Sequence, residues 1–245
     1  GCMIYQGGAW PEKYRGMLFM NNIHGNRMNM DILTPKGSGF VCSHGPDFLL
    51  TRDQWSQMLY MTYGPDGQVW VIDWYDRQQC HERVPDKHDR SNGRIYRIVY
   101  NDAKPVKVDL GKMKDEELVK LLTHDNEWYR RHAQRILQER ANSGVVNAST
   151  FTKQIANTLA DEGTGWPARV RAVMATDAII DTYRANGQQF PGLGELNPAL
   201  GKLVPKNDQI RKWLPVLMVH DANGAEPNAI RHLPGQVADL AIREE

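Results

Sequence analysis

Residues 64–76 read GPDGQVWVIDWYD, and no other stretch constrains the fold as tightly. Pro65 stands second and Gly67 fourth in a tight turn, with Asp66 between them. The residues that follow alternate with period two: Val69 and Val71 point one way, Trp70, Ile72 and Trp74 the other. Both sets are apolar, so the pattern predicts a strand buried on both faces between two packed layers. Asp73 falls on the Val69/Val71 face at the strand's end. A carboxylate there is either held by hydrogen bonds or used for chemistry.

The sequence upstream and just downstream has the same character. Short apolar runs at Tyr14–Met20, Asn26–Leu33, Phe40–Cys42, Met58–Tyr63 and Arg94–Tyr100 are separated by turn clusters, among them Pro35-Lys36-Gly37-Ser38-Gly39. No helical period appears before residue 100, and residues 77–93 form a polar loop dense in His, Asp, Arg and Lys. About six short strands at this spacing suit a sandwich, a barrel or propeller blades. Short strands, an apolar strand on both faces and the G-P-D-G entry favour about one and a half propeller blades. Edges of such a piece need further blades or another cover.

Asn101–Gly111 reads as a linker, and the period then changes. Acidic residues at Asp115–Glu117 start a helix carrying Leu118, Leu121 and Leu122 on one stripe. Asp125 is the expected N-cap of a helix over 126–140, ended by Asn142-Ser143-Gly144. Further helices are expected over 150–160, 167–184, 208–219 and 228–243, the last two interrupted near Pro215 and Pro234. Short helices at this spacing suggest stacked antiparallel pairs. The fold class is therefore mixed and in two parts, an all-β blade fragment over 1–104 and an all-α, solenoid-like region over 105–245.

A formal net charge of +1 makes no electrostatic case for nucleic acid or an anionic membrane, and no apolar run reaches the length of a membrane span. Three cysteines are too few for a disulfide framework. Cys80-His81 matches the end of a C-x-x-C-H haem motif, but Arg77 stands where its first Cys belongs, so no covalent haem is expected on this chain.

Four segments in order, YQGGAWPEKYRGMLFMNNIHGNRMNMDIL, HGPDFLLTRDQW, GPDGQVWVIDWYD and GRIYRIVY, resemble the last blades of the glucose/sorbosone dehydrogenase-like propellers, in the branch called the membrane-bound dehydrogenase domain. DEELVKLLTHDNEWYRRHAQRIL resembles a HEAT repeat, and Arg169-Val170-Arg171-Ala172-Val173 resembles part of a second. The resemblance implies a C-terminal piece of a secreted bacterial protein, periplasmic or at the cell surface, in which a cytochrome c module often follows the helices. It implies oxidation of a sugar or alcohol with pyrroloquinoline quinone and calcium.

Within that frame Asp73 is a candidate base or substrate-orienting group, its alternative being a fastening to backbone amides. His24 is a candidate base at neutral pH, and Arg27 a candidate partner for a quinone carboxylate. A plain hairpin loop explains His24 and Arg27 equally well. Arg52-Asp53 reads as an ion pair or cap, and His44-Gly45-Pro46-Asp47 as turn chemistry. His81, Glu82, Asp86, His88 and Asp89 are metal-type side chains whose spacing matches no compact site, so no metal ligand is assigned. Trp128, Trp166 and Trp213 are expected in packing. The rival reading is a non-catalytic propeller with a HEAT scaffold that binds proteins or glycans.

Overall fold

The computed structural model describes residues 1–37, 39–78, 88, 89, 91–191 and 196. It divides into two compact units, Gly1–Val108 with Asp125–Trp128, and Asp109–His124 with Tyr129–Glu245. The first is built of antiparallel strands and the second of helices. The helices expected over 208–219 and 228–243, Trp213, and His81, Glu82 and Asp86 of the polar loop lie outside the described residues.

In the first unit, β1 (Cys2–Ile4), β2 (Leu18–Asn22), β3 (Arg27–Lys36) and β4 (Gly39–His44) form an antiparallel sheet in that order, and β5 (Leu49–Leu50) also pairs with β3. Strand β3 is long enough to take both partners: Asp31–Lys36 pair with β4, and Arg27–Met28 with β5. Between them Gly45 N–H donates to Met30 O and Phe48 N–H to Met28 O. A second sheet runs β6 (Met58–Tyr63), β7 (Val69–Asp73), β8 (Arg94–Ile98), with a register shift between Met58 and Met61.

One core draws on both sheets. Met3, Phe19, Met28 and Met30 come from the first, and Met58, Met61, Tyr63, Val69 and Val71 from the second. Unbranched methionines fill the irregular space between two twisted sheets at little rotamer strain. The aromatic centre is Trp10, stacked on Tyr5 at 4.6 Å and on Phe48 at 4.9 Å between ring centroids. Offset stacks of this kind add to the area they bury.

The expectation of a strand buried on both faces does not hold. Val69, Val71 and Asp73 are buried, but Trp70, Ile72 and Trp74 are 37%, 46% and 50% exposed. Tyr60 and Ile95 on the flanking strands are exposed as well. Nothing among the described residues covers this face, which is why period and apolarity together overstate its burial.

The G-P-D-G turn itself is as expected. Gly67 has φ +69 and its N–H donates to Gly64 O, a backbone that a side chain would strain. Asp66 Oδ1 accepts the Gln68 N–H at 3.0 Å, and Asp66 Oδ2 pairs with Arg97 at 2.6 Å. The fully buried Tyr5 hydroxyl donates to Gly67 O at 2.9 Å and accepts the N–H groups of Ala9 and Trp10 at 2.9 and 2.8 Å. Burial holds this hydroxyl above its ordinary pKa, so it remains a donor.

The second unit contains α1 (Asp115–Leu121), most of α2 (Glu127–Asn142), α3 (Ala148–Ala160) and α4 (Trp166–Ala185). The apolar stripes are as the periods require. Leu118 and Leu122 are buried in and after α1, Ala133, Leu137 and Ala141 in α2, and Phe151, Ile155 and Leu159 in α3. The helix over 127–142 is capped by Asn126, whose Oδ1 accepts the Trp128 N–H at 2.9 Å, and not by Asp125 as the sequence suggests. Either side chain can cap, but the Asn126 amide has a second use. Its N–H group donates to Gly64 O and Pro65 O, which a carboxylate cannot do. Asp115 ties the helices together, pairing with Arg140 at 2.6 Å and accepting the Asn147 N–H at 2.9 Å.

Replacing Tyr5 by Phe leaves the buried Trp10 N–H, the half-buried Ala9 N–H and the Gly67 carbonyl without their partner. We expect a loss of about 3 kcal/mol from such unsatisfied groups, read as a lower urea midpoint of the β unit at unchanged slope. An unchanged midpoint refutes the role assigned to this hydroxyl.

Candidate functional site

The end of β7 opposite the G-P-D-G turn holds the densest polar chemistry of the first unit. Asp73 is 1% exposed. Its Oδ2 accepts the Ser56 hydroxyl at 2.9 Å, and its Oδ1 accepts the backbone N–H groups of Gln57 at 2.7 Å and Tyr75 at 2.9 Å. Both oxygens are thus engaged, and the chain before β6 is bound to the chain after β7. A buried carboxylate is tolerated where donors replace the water it loses.

Three residues further on, Asp76 repeats the arrangement. It is fully buried and accepts the N–H groups of Gln78 at 2.9 Å and Asp89 at 3.0 Å, with the Trp74 indole N–H at 3.3 Å. The hydrogen bond from Gln78 is the main reason its pKa lies below the ordinary carboxylate value, and the nearby His88 imidazole adds to the effect.

Ser56 also lines a cleft of about 310 Å³ with Leu49, Thr51, Asp53, Met58, Val71, Tyr96 and Ile98. The floor is apolar, because Val71 and Ile98 sit on the core-facing sides of β7 and β8. Its rim is polar. Asp53 Oδ1 accepts the Trp55 N–H at 2.9 Å, which closes a side-chain turn; no helix starts there for it to cap. The Tyr75 hydroxyl is hydrogen-bonded to Asp53, which raises its pKa. The Arg94 guanidinium lies 3.5 Å from the Tyr75 ring centroid. Arg94, Tyr96 and Ile98 follow one another at period two, on one face of β8. Arg52 and Tyr75 have φ of +53 and +49, a left-handed backbone that non-glycine residues adopt at a cost.

The other candidates lie elsewhere. His24 is exposed in the turn between β2 and β3. Arg27 pairs with Asp47 at 2.8 Å, while Asn29 donates to the other Asp47 oxygen at 2.7 Å. Arg27 alternates with the core residue Met28, so it lies on the outward face of the first sheet, whereas Asp73 faces inward from the second. The structure therefore does not bring Arg27 and Asp73 together. His44 and Cys42 both meet Asp31, at 3.1 and 3.3 Å. The hydrogen bond to Asp31 pushes the Cys42 thiol up and so leaves it a poorer nucleophile.

Among the described residues no group of three or more His, Cys, Asp or Glu side chains is arranged to hold a metal ion. Arg27, the expected carboxylate partner, already faces Asp47. The described residues do not make up the quinone and calcium site that the resemblance implies. Sequence reasoning passed over Ser56, Arg94 and Tyr96 as site residues. A usable signal was present in Arg94 and Tyr96, two polar-tipped side chains at period two with Ile98.

A family model described as a domain of unknown function, DUF7133, matches residues 1–102. No curated protein and no solved structure matches the chain. Among the described residues no helix is long and apolar enough to cross a membrane.

Because the folded-state pKa of Asp76 lies below the ordinary 3.8, the unfolded chain binds the proton first as pH falls. The contribution of this carboxylate is complete above that value and is lost as pH drops through the lowered one. Urea midpoints of the first unit should therefore fall below pH 4 or so, and Asp76→Asn should flatten that dependence while lowering the midpoint at pH 7. An equally steep acid limb in the variant excludes Asp76 as its source.

Proposed function

We propose that this chain is a closing part of a glucose/sorbosone dehydrogenase-like β-propeller followed by HEAT-like repeats, and that its contribution to the parent is architectural. The parent, in this reading, oxidises a sugar or alcohol outside the cytoplasm with groups other than Asp73. The observation carrying the architectural part is the engagement of both Asp73 oxygens by Ser56, Gln57 and Tyr75. A carboxylate so held and only 1% exposed is shut off from an incoming hydroxyl and acts as a fastening between consecutive strands. The exposed row of Trp70, Ile72 and Trp74 supports the propeller, since a blade stacks each apolar face on its neighbour. Quinone, calcium and a cytochrome c partner belong to the same reading of the parent and rest on the resemblance.

That exposed row also favours a second reading, a scaffold that binds a protein or glycan there. The two differ in what happens to Trp70 and Trp74 in the longer parent. Acrylamide quenching should be low if a neighbouring blade covers them and high if the face is kept for a partner.

The decisive experiment uses the full-length parent with pyrroloquinoline quinone and Ca²⁺, and follows dye reduction with a panel of aldoses and alcohols. Wild type should turn over at least one of them. Asp73→Asn should keep the turnover per folded molecule while losing about 2 kcal/mol of stability, the scale of a broken buried hydrogen-bond network. No turnover by wild type across the panel rejects the oxidation. Loss of turnover at unchanged stability rejects the fastening role.

A further inference from the structure

The rim of the cleft beside Ser56 carries more binding capacity than the fold uses. Arg94 is stacked on Tyr75, and among the described residues it makes no ion pair or hydrogen bond. The Tyr96 hydroxyl likewise has no protein partner among them. Asp53 accepts one bond from Trp55 and one from Tyr75, which leaves acceptor capacity on its carboxylate. Tyr96, a donor, and Asp53, a negatively charged acceptor, line the cleft above an apolar floor of Val71 and Ile98. The donor Arg94 stands just beyond the lining, two residues before Tyr96 on the same face of β8. A simple anion is opposed by Asp53 and the nearby Asp73, and a simple cation by Arg94. A ligand with both charges on one carbon and an apolar body satisfies every one of these groups. The left-handed backbone at Arg52 and Tyr75 lies on either side of the same rim, where strain of this sort commonly marks a binding position.

We propose that this cleft binds an α-amino acid with an aliphatic side chain. Its carboxylate meets Arg94 and the Tyr96 hydroxyl, its ammonium meets Asp53, and its side chain lies on Val71 and Ile98. The volume of about 310 Å³ is at the small end of ligand pockets and suits a ligand of this size. The site is separate from any oxidation by the parent and stands or falls without it.

The test uses the full chain and L-leucine as the probe, followed by titration calorimetry and by the fluorescence of Trp55, which lies 5.9 Å from the Tyr75 ring. Saturable binding is expected, with a Kd of about 1 mM or tighter. 4-Methylpentanoate, which lacks the ammonium, and 3-methylbutylamine, which lacks the carboxylate, should each bind about tenfold more weakly or worse, since each gives up a charge-assisted contact. Arg94→Met should weaken leucine about tenfold and leave the amine unaffected. Tyr96→Phe, a smaller change, should weaken leucine less, with an unchanged circular dichroism spectrum. Absence of saturable leucine binding overturns the proposal. So does equal binding of leucine and the amine, or unaltered leucine affinity in both variants.

Discussion

The hydroxyl of Tyr5 is the point on which the β unit depends. One oxygen, shut off from water, accepts two backbone N–H groups from the Gly-Gly-Ala-Trp loop and donates to the carbonyl of Gly67 in the G-P-D-G turn. The two loops are pressed together at that point. A Cβ on Gly7 would meet Gly67 O at 2.6 Å, and one on Gly67 would meet Gly7 O at 2.4 Å. Only glycine permits this approach, and only a buried, correctly placed hydroxyl compensates the backbone groups that it removes from water. Gln68 extends the junction: its side-chain oxygen accepts the Trp10 indole N–H and the Tyr100 N–H. Loop, turn and the end of β8 are thereby fixed together.

Strand β7 is thus held at both ends by polar clamps and along one face by the core. At its beginning Asp66 accepts the Gln68 N–H and pairs with Arg97; at its end Asp73 gathers Ser56, Gln57 and Tyr75. The acids differ in consequence. Asp66 ties the turn to Arg97 of β8, whereas the Asp73 clamp sets Ser56 in the wall of the cleft and holds Tyr75 in a backbone that lets its ring carry Arg94. The polar rim is a by-product of fastening β7, which is why the groups with spare capacity are the neighbours of Asp73 and not Asp73 itself.

How much of this could be read in the chain depends on the length scale. Met58–Tyr63 is legible as a strand because a short apolar and aromatic run leads into the G-P-D-G turn, and β3, β7 and β8 are legible within a few residues of their ends. Strands β1 and β5 are not, because three residues and two residues cannot display a period. The change from period two to a helical period separated β from α, and the burial of Leu118 and Leu122 followed from it. The cap before α2 lies one residue beyond the Asp125 that the sequence suggests, since Asp125 and Asn126 are equal by local preference and only the carbonyls of Gly64 and Pro65 distinguish them. For Asp73 both uses were legible, but not the choice between them.

The sequence by itself determined the change from strands to helices, the longer strands, the G-P-D-G turn and the side of β7 on which Asp73 lies. These follow from the rotation per residue along an extended or helical backbone and from the few residues that tolerate a tight turn, and both are local. Tertiary structure alone decided that Trp70, Ile72 and Trp74 stay exposed, that Arg27 faces Asp47, and that Tyr96 and Asp53 share one cleft while Arg94 stacks on Tyr75. Each of these depends on which distant segments meet, a matter of long-range packing and buried hydrogen bonds that no period along the chain records.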